Sequence, residues 1–477
     1  MVFSSVPFLF YFLPLFIAAY AAMRSVKARN IVLLLFSLLF YAWGEPWFVL
    51  VMLAAIVGNW QAALWIARTP QARRIWATGV AVAANLSLLI VFKYADFLVG
   101  NLNHVTGLGG VVFPLPQVAL PLGISFFTFH SISYLVDVHR GDARPATRLI
   151  NIAVYISMFP QLVAGPIIRY KKVAKQLDRR RTTWGRISAG ARIFVIGLAQ
   201  KVLIADEVAR IADTAFDELA VPGLADAWLG LSAYTIQIYF DFAGYSNMAI
   251  GFAVAFGFTF PRNFRLPYKS RSITEFWRRW HMSLSNWFRD YVYIPLGGNR
   301  GSALSTYRNL ATIFLLCGLW HGASWNFVIW GAYHGLLLII ERAGLGKVLR
   351  GLPSIVSWAY TLLAVMAGWV WFRAVEFSDA LRMFNGLVGL NGVGTLDPKL
   401  HFVLYPTSFT ALVLGAAFAL LPRTNGTPPL RGQLAGLLRV FSSRYALSDM
   451  LFITLLFVLS VLSVSSGTYS PFLYFRF

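Results

Sequence analysis

Apolar residues run along most of this chain in long stretches, separated by short basic or Gly/Pro-rich segments. Stretches of this length without charge predict membrane helices. The first, 7–23, ends at Arg24, Lys27 and Arg29. It lacks a basic leading segment and more spans follow, so it reads as a retained helix rather than a cleaved signal. A helical pair at 31–43 and 47–67 is broken at Gly44-Glu45-Pro46, where proline stops a helix from continuing. Runs at 76–92 and 121–138 follow, with a Gly/Pro-rich loop at 100–117 between them. Further runs lie at 149–168, 187–204, 228–258, 331–341, 353–372, 408–421 and 450–464, and another leads from about Arg308 to His321. The pattern predicts an all-α polytopic membrane protein of about ten to twelve membrane helices. It forms one integral membrane domain over 1–477, with its motif-bearing core at about 119–341.

Two of these runs break the simple rule. Basic loops facing the cytoplasm place the N-terminus outside, and the alternation holds through Arg148. Both flanks of 149–168 are basic, so this run enters and returns on the same side. Pro160, Gly165 and Pro166 supply the turn, and irregular backbone at membrane depth belongs against a cavity. The 228–258 run spans roughly 45 Å as helix, long for one straight crossing and short for two. Its polar middle, with Asp241, Gly244, Ser246 and Asn247, predicts a broken or strongly tilted helix lining the same cavity. Arg423, Arg431, Arg439 and Arg444 then mark the last inward loop, which leaves the C-terminus outside.

Composition agrees with the pattern. The 477 residues are 58% hydrophobic, 16% aromatic and 13% charged, which excludes disorder and an ordinary soluble domain. The net charge of +22 sits in short loops, where it sets orientation and meets anionic membrane lipids rather than nucleic acid. Cys317 is the single cysteine, so there is no intramolecular disulfide. No motif for a metal site or a permanently bound cofactor is present.

The candidate chemistry lies between Ser272 and Ala323. Thirteen helical residues from Arg308 carry His321 roughly 20 Å inward, and an ionisable residue at such depth points to function. Its neutral imidazole suits a general base, while interhelical hydrogen bonding is the structural alternative. Trp320 adjoins it, and His334, thirteen residues on, is positioned to face it across a hairpin. Residues 273–291 predict an interfacial helix that buries Trp277, Trp280, Leu284 and Trp287 or Phe288. Its basic side, Arg278 and Arg279 with Lys269 upstream, suits the phosphates of a nucleotide-bearing donor, and His281 would stand beside the reacting thioester. Asp241 needs a buried partner such as an arginine or a tyrosine hydroxyl, and structural pairing outweighs catalysis for it. Cys317 lies one turn before His321, where core packing accounts for it better than a nucleophilic dyad does.

The strings FPQLVAGPIIRY, YFDFAGYSNMAIGFAVAFGFTFPRNFRLPY, SITEFWRRWHMSLSNWFRDYVYIPLGGNR and LWHGASWNFVIWGAYHG resemble the membrane-bound O-acyltransferase family. The likeness is strongest to its bacterial alginate-acetylating branch. The resemblance implies a many-helix fold with re-entrant segments around a central funnel. It implies that His321 is the catalytic histidine and His281 a second active-site residue. It also implies acetyl-CoA as a cytoplasmic donor, a location in the bacterial inner membrane, and a periplasmic acetyl-accepting protein that serves an exopolysaccharide. The rivals are D-alanyl or other acyl transfer to an envelope polymer, and a transporter or flippase using the same intramembrane cavity.

Overall fold

Every regular element in the computed structural model is helical, with no strand among the described residues, which are 2–107, 109–110, 112–420 and 446–466. Arg423, Arg431, Arg439, Arg444 and the end of the 408–421 run lie outside them. Among the described residues, six helices are long and apolar enough to cross a membrane: Phe48–Arg68, Gln71–Gly107, Trp184–Glu218, Trp325–Gly351, Ser354–Arg373 and Leu447–Ser465. Shorter apolar helices at Pro7–Ala22 and Pro406–Leu420 join them. The chain is a multi-pass helical membrane protein.

One expected interruption is shorter than predicted, and at a second the helix is unbroken. Helix continues through the start of the expected 100–117 loop as far as Gly107. Its polar residues are absorbed by their own backbone: Asn101 donates to the Phe97 carbonyl at 2.6 Å and Thr106 to that of Leu102 at 3.0 Å. The second is the long helix Leu224–Ala255, which runs unbroken for 32 residues. Gly244 in its middle serves a helix crossing instead. A Cβ there would meet the Gly197 carbonyl oxygen at 2.7 Å, so two backbones touch where a break was expected.

The chain forms two compact units, whose boundaries fall inside the helices Trp184–Ala199 and Leu224–Ala255. The first unit comprises the residues up to Ala191 with Ala249–Pro261. Within it the 149–168 run is a helix, Leu149–Ser157, that stops at Met158, then a short turn, Phe159–Leu162. Residues 151–168 are all buried. The turn is held by protein rather than by solvent: the Phe159 N–H donates to Ser37 Oγ at 3.0 Å, and Tyr155 donates its hydroxyl to the Ile168 carbonyl at 2.7 Å. Phe159 packs among Phe3, Phe12, Phe16, Phe40 and Phe252.

The second unit comprises Arg192–Met248 and the described residues from Arg262 onward. In it Lys201 lies 2% exposed beside Asp241, at 2.7 Å, and Asp206, at 2.6 Å. Lys201 is thus the partner Asp241 requires, in place of the expected arginine or tyrosine. The lone lysine in the 187–204 run was the available signal. Nearly two turns further on, Asn247 donates to Gln200 at 2.8 Å. Both polar residues therefore join the helix containing Lys201 to Leu224–Ala255.

Candidate active site

His321 is the last residue of the helix Ala303–His321, and the next helix, Trp325–Ile340, turns back against it. The pair packs backbone to backbone through two glycines. A Cβ on Gly318 would meet the Phe327 carbonyl oxygen at 2.2 Å, and one on Gly331 would meet that of Phe314 at 2.3 Å. This closeness brings the His321 ring to 5.0 Å from Trp330 and 5.1 Å from Phe372, both edge to face. The histidine is 5% exposed.

A cavity opens at His321, walled by Ile238, Phe242, Trp280, Trp330, Trp369 and Phe372. Its water-accessible space is about 10 Å³, on the scale of a single small group such as a water molecule. Asp241, Asn247, Trp320 and His334, the residues expected to line it, are not in its wall. Asp241 and Asn247 turn toward Lys201 and Gln200, and one-residue steps along that helix put Phe242 on the cavity instead. Trp320 packs beside His321 at 4.9 Å. His334 occupies a separate cage of Phe276, Trp277 and Trp330, fully buried, with Trp330 shared between it and His321. The wall residues of the Ser354–Arg373 helix, Trp369 and Phe372, escaped sequence reading because an aromatic in an apolar run signals ordinary core equally well.

The 273–291 segment is not one interfacial helix. It consists of Ile273–Trp277 and Met282–Phe288, separated by a turn in which His281 adopts φ 39° and ψ 52°. That left-handed conformation is uncommon outside glycine. The aromatic pattern is as expected, but its residues are buried within the protein: Trp277, Trp280, Leu284, Trp287 and Phe288 all lie in the core. The turn brings His281, fully buried, to 4.6 Å from Phe242 and 6.0 Å from Trp320. Trp320 therefore touches both histidines. Burial pushes the His281 imidazole down to about 3, so the ring is neutral at physiological pH.

The three basic residues expected at the donor entrance divide. Arg279 braces the fold, donating to Glu275 at 2.9 and 2.6 Å and to the Arg265 carbonyl at 3.2 Å. Arg278 is exposed and Lys269 is half-buried. The segment is tied to the His321 hairpin through Glu341, which accepts from the backbone N–H of Ile273 at 2.6 Å and of Thr274 at 2.9 Å.

The model of the membrane-bound O-acyltransferase family matches residues 38–350, a stretch that contains His281, His321 and the wall aromatics Phe242, Trp280 and Trp330. The chain belongs to that family. This acyltransferase is similar over its whole length to a probable alginate O-acetylase of Azotobacter vinelandii, at 43% identity and with all of both chains covered. It is 38% identical to a peptidoglycan O-acetyltransferase of Helicobacter pylori, over 82% of this chain and 81% of that one. A teichoic acid D-alanyltransferase of Bacillus subtilis is 29% identical over 46% of this chain and 58% of its own. The acyltransferase thus carries His281 and His321 in one aromatic block, with a small cavity at His321.

Proposed function

We propose that this acyltransferase takes an acetyl group from a cytoplasmic thioester donor, acetyl-CoA. It passes the group across the bacterial inner membrane for O-acetylation of an exopolysaccharide such as alginate, by way of a periplasmic acetyl-accepting partner. The observation that carries this reading is the cavity at His321, with its small space and aromatic wall. An acetyl group ends in one methyl, a small tail that suits a narrow space walled by aromatic rings. His321 takes the proton of the attacking hydroxyl as that oxygen bonds to the thioester carbon. The C–S bond breaks, and the proton passes to the departing thiolate. Exposed Arg278 and half-buried Lys269 suit the phosphates of the donor.

D-alanyl transfer fits less well. That group brings an ammonium, and the cavity wall holds no carboxylate to pair with it. Full-length likeness to alginate O-acetylases, against half-length likeness to a D-alanyltransferase, leans the same way.

The test is transfer from radiolabelled acetyl-CoA by purified protein in nanodiscs, with D-alanyl carrier protein as a parallel donor. Acetyl transfer is expected, and His321→Ala should lower it about 1,000-fold or more. Normal polymer acetylation in cells by folded His321→Ala protein would sink the mechanism. Preference for D-alanyl would replace the donor, and substrate movement in liposomes without acetyl transfer would favour a transporter.

A further inference from the structure

We infer that Asn263 is a positioning residue that fixes the tautomer of His281, placing the hydrogen on Nδ1 and the lone pair on Nε2. The consequence for catalysis rests on the acyl-transfer reading above. The tautomer itself does not.

The argument begins with the backbone. A non-glycine residue in the left-handed region is disfavoured and persists only where its surroundings over-determine it. At His281 those surroundings are the 263–265 segment. The Met282 N–H donates to the Asn263 carbonyl at 2.9 Å, and the Arg265 N–H donates to the Arg279 carbonyl at 2.9 Å. The turn that carries His281 is thereby clamped at both ends.

The Asn263 side chain then reaches into the turn. Its Oδ1 lies 3.2 Å from the Ser283 backbone nitrogen, 2.9 Å from Ser283 Oγ and 3.1 Å from His281 Nδ1. Ser283 stands in the first turn of Met282–Phe288, where N–H groups lack partners within the helix. A backbone N–H can only donate, so the amide must present its oxygen there and not its NH₂. That oxygen can only accept, and His281 Nδ1 must therefore carry a hydrogen. In the neutral ring the lone pair then falls on Nε2.

This assignment restricts what His281 can do. Nε2 accepts a hydrogen bond and cannot give one while the ring is neutral. A thioester carbonyl oxygen and its sulfur only accept, so His281 is not their donor. A substrate group that reached Nε2 would have to bring an O–H or N–H, such as the attacking hydroxyl or an amide on the donor's arm. Asn263 acts through His281 and does not itself touch the reacting atoms.

The experiment is ¹⁵N NMR of histidine-labelled protein in bilayers, with the His281 signals assigned by their loss in His281→Gln. The expected result is a protonated Nδ1 and a bare Nε2 in the unaltered protein and in Asn263→Asp, which keeps an acceptor. Asn263→Leu should lose this preference and lower kcat about 100-fold with KM little changed, while Asn263→Asp stays within about tenfold. A hydrogen on Nε2 in the unaltered protein overturns the inference, as does an unchanged tautomer in Asn263→Leu. If Asn263→Leu does not fold, the spectra of the unaltered protein and Asn263→Asp decide. Failure of the acetyl-transfer assay leaves the spectra interpretable, so the two readings can fail separately.

Discussion

Trp369 closes the His321 cavity from the Ser354–Arg373 helix and is held there by its own polar atom. Its indole N–H donates to the Tyr268 hydroxyl at 3.2 Å, and that hydroxyl donates to the Thr235 carbonyl at 2.7 Å. On the proposed reading, a wall fixed this way would set the size of the acyl group by exclusion, and a hydrophobic pocket discriminates by roughly 1–3 kcal/mol per methylene. Trp369→Ala is therefore expected to raise the use of propionyl- or butyryl-CoA relative to acetyl-CoA by at least tenfold in competition assays. Unchanged selectivity in the folded variant would mean the acyl group lies elsewhere. At this scale the sequence was uneven as a guide. His321 and His281 stood out because each is a polar outlier among aromatics. Asn263 gave no signal, because its role depends on a turn that brings residues 18 and 20 positions away onto one oxygen.

The helix is the scale at which glycine decides the site. Gly318 and Gly331 let Ala303–His321 and Trp325–Ile340 meet at backbone distance, and the depth of His321 against Trp330 follows from that approach. Gly331→Ala puts a methyl 2.3 Å from a carbonyl oxygen, so one helix must shift. Overpacking of this kind costs about 1–3 kcal/mol. The variant should show a lowered melting temperature in detergent and reduced transfer. Gly351→Ala, with open space around it, serves as the control and should match the unaltered protein. Equal behaviour of the two variants would remove the hairpin from the account. Sequence reading found most helices, since apolar length and flanking charge are local properties. Of the two readings of Leu224–Ala255, a break or a strong tilt, the unbroken helix removes the break, because Gly244 and Asp241 look like interruptions until Gly197 and Lys201 are placed opposite them.

For the whole molecule, orientation follows from where the basic loops lie. That rule puts Arg278 on the cytoplasmic face, and it puts the loop containing Leu390, which is 76% exposed, on the opposite one. In a Cys317→Ser background, Arg278→Cys should react with a membrane-impermeant maleimide only after the inner membrane is opened. Leu390→Cys should react in intact spheroplasts. Labelling of both from one side would reverse the path proposed for the acetyl group. The orientation is an expectation from the charge pattern alone, whereas the aromatic block around His281 and His321 needed the fold.

The small cavity also bears on fidelity. A thioester in a membrane enzyme is exposed to a competing reaction, hydrolysis, which destroys the donor without modifying any acceptor. Space for a single small group means that the acetyl methyl and a water molecule contend for one position. Occupancy by the acetyl group then expels the very nucleophile that would waste it. An enlarged cavity lets both in at once. The cost of accepting a longer chain would be a leak, read as thiol released in excess of ester formed.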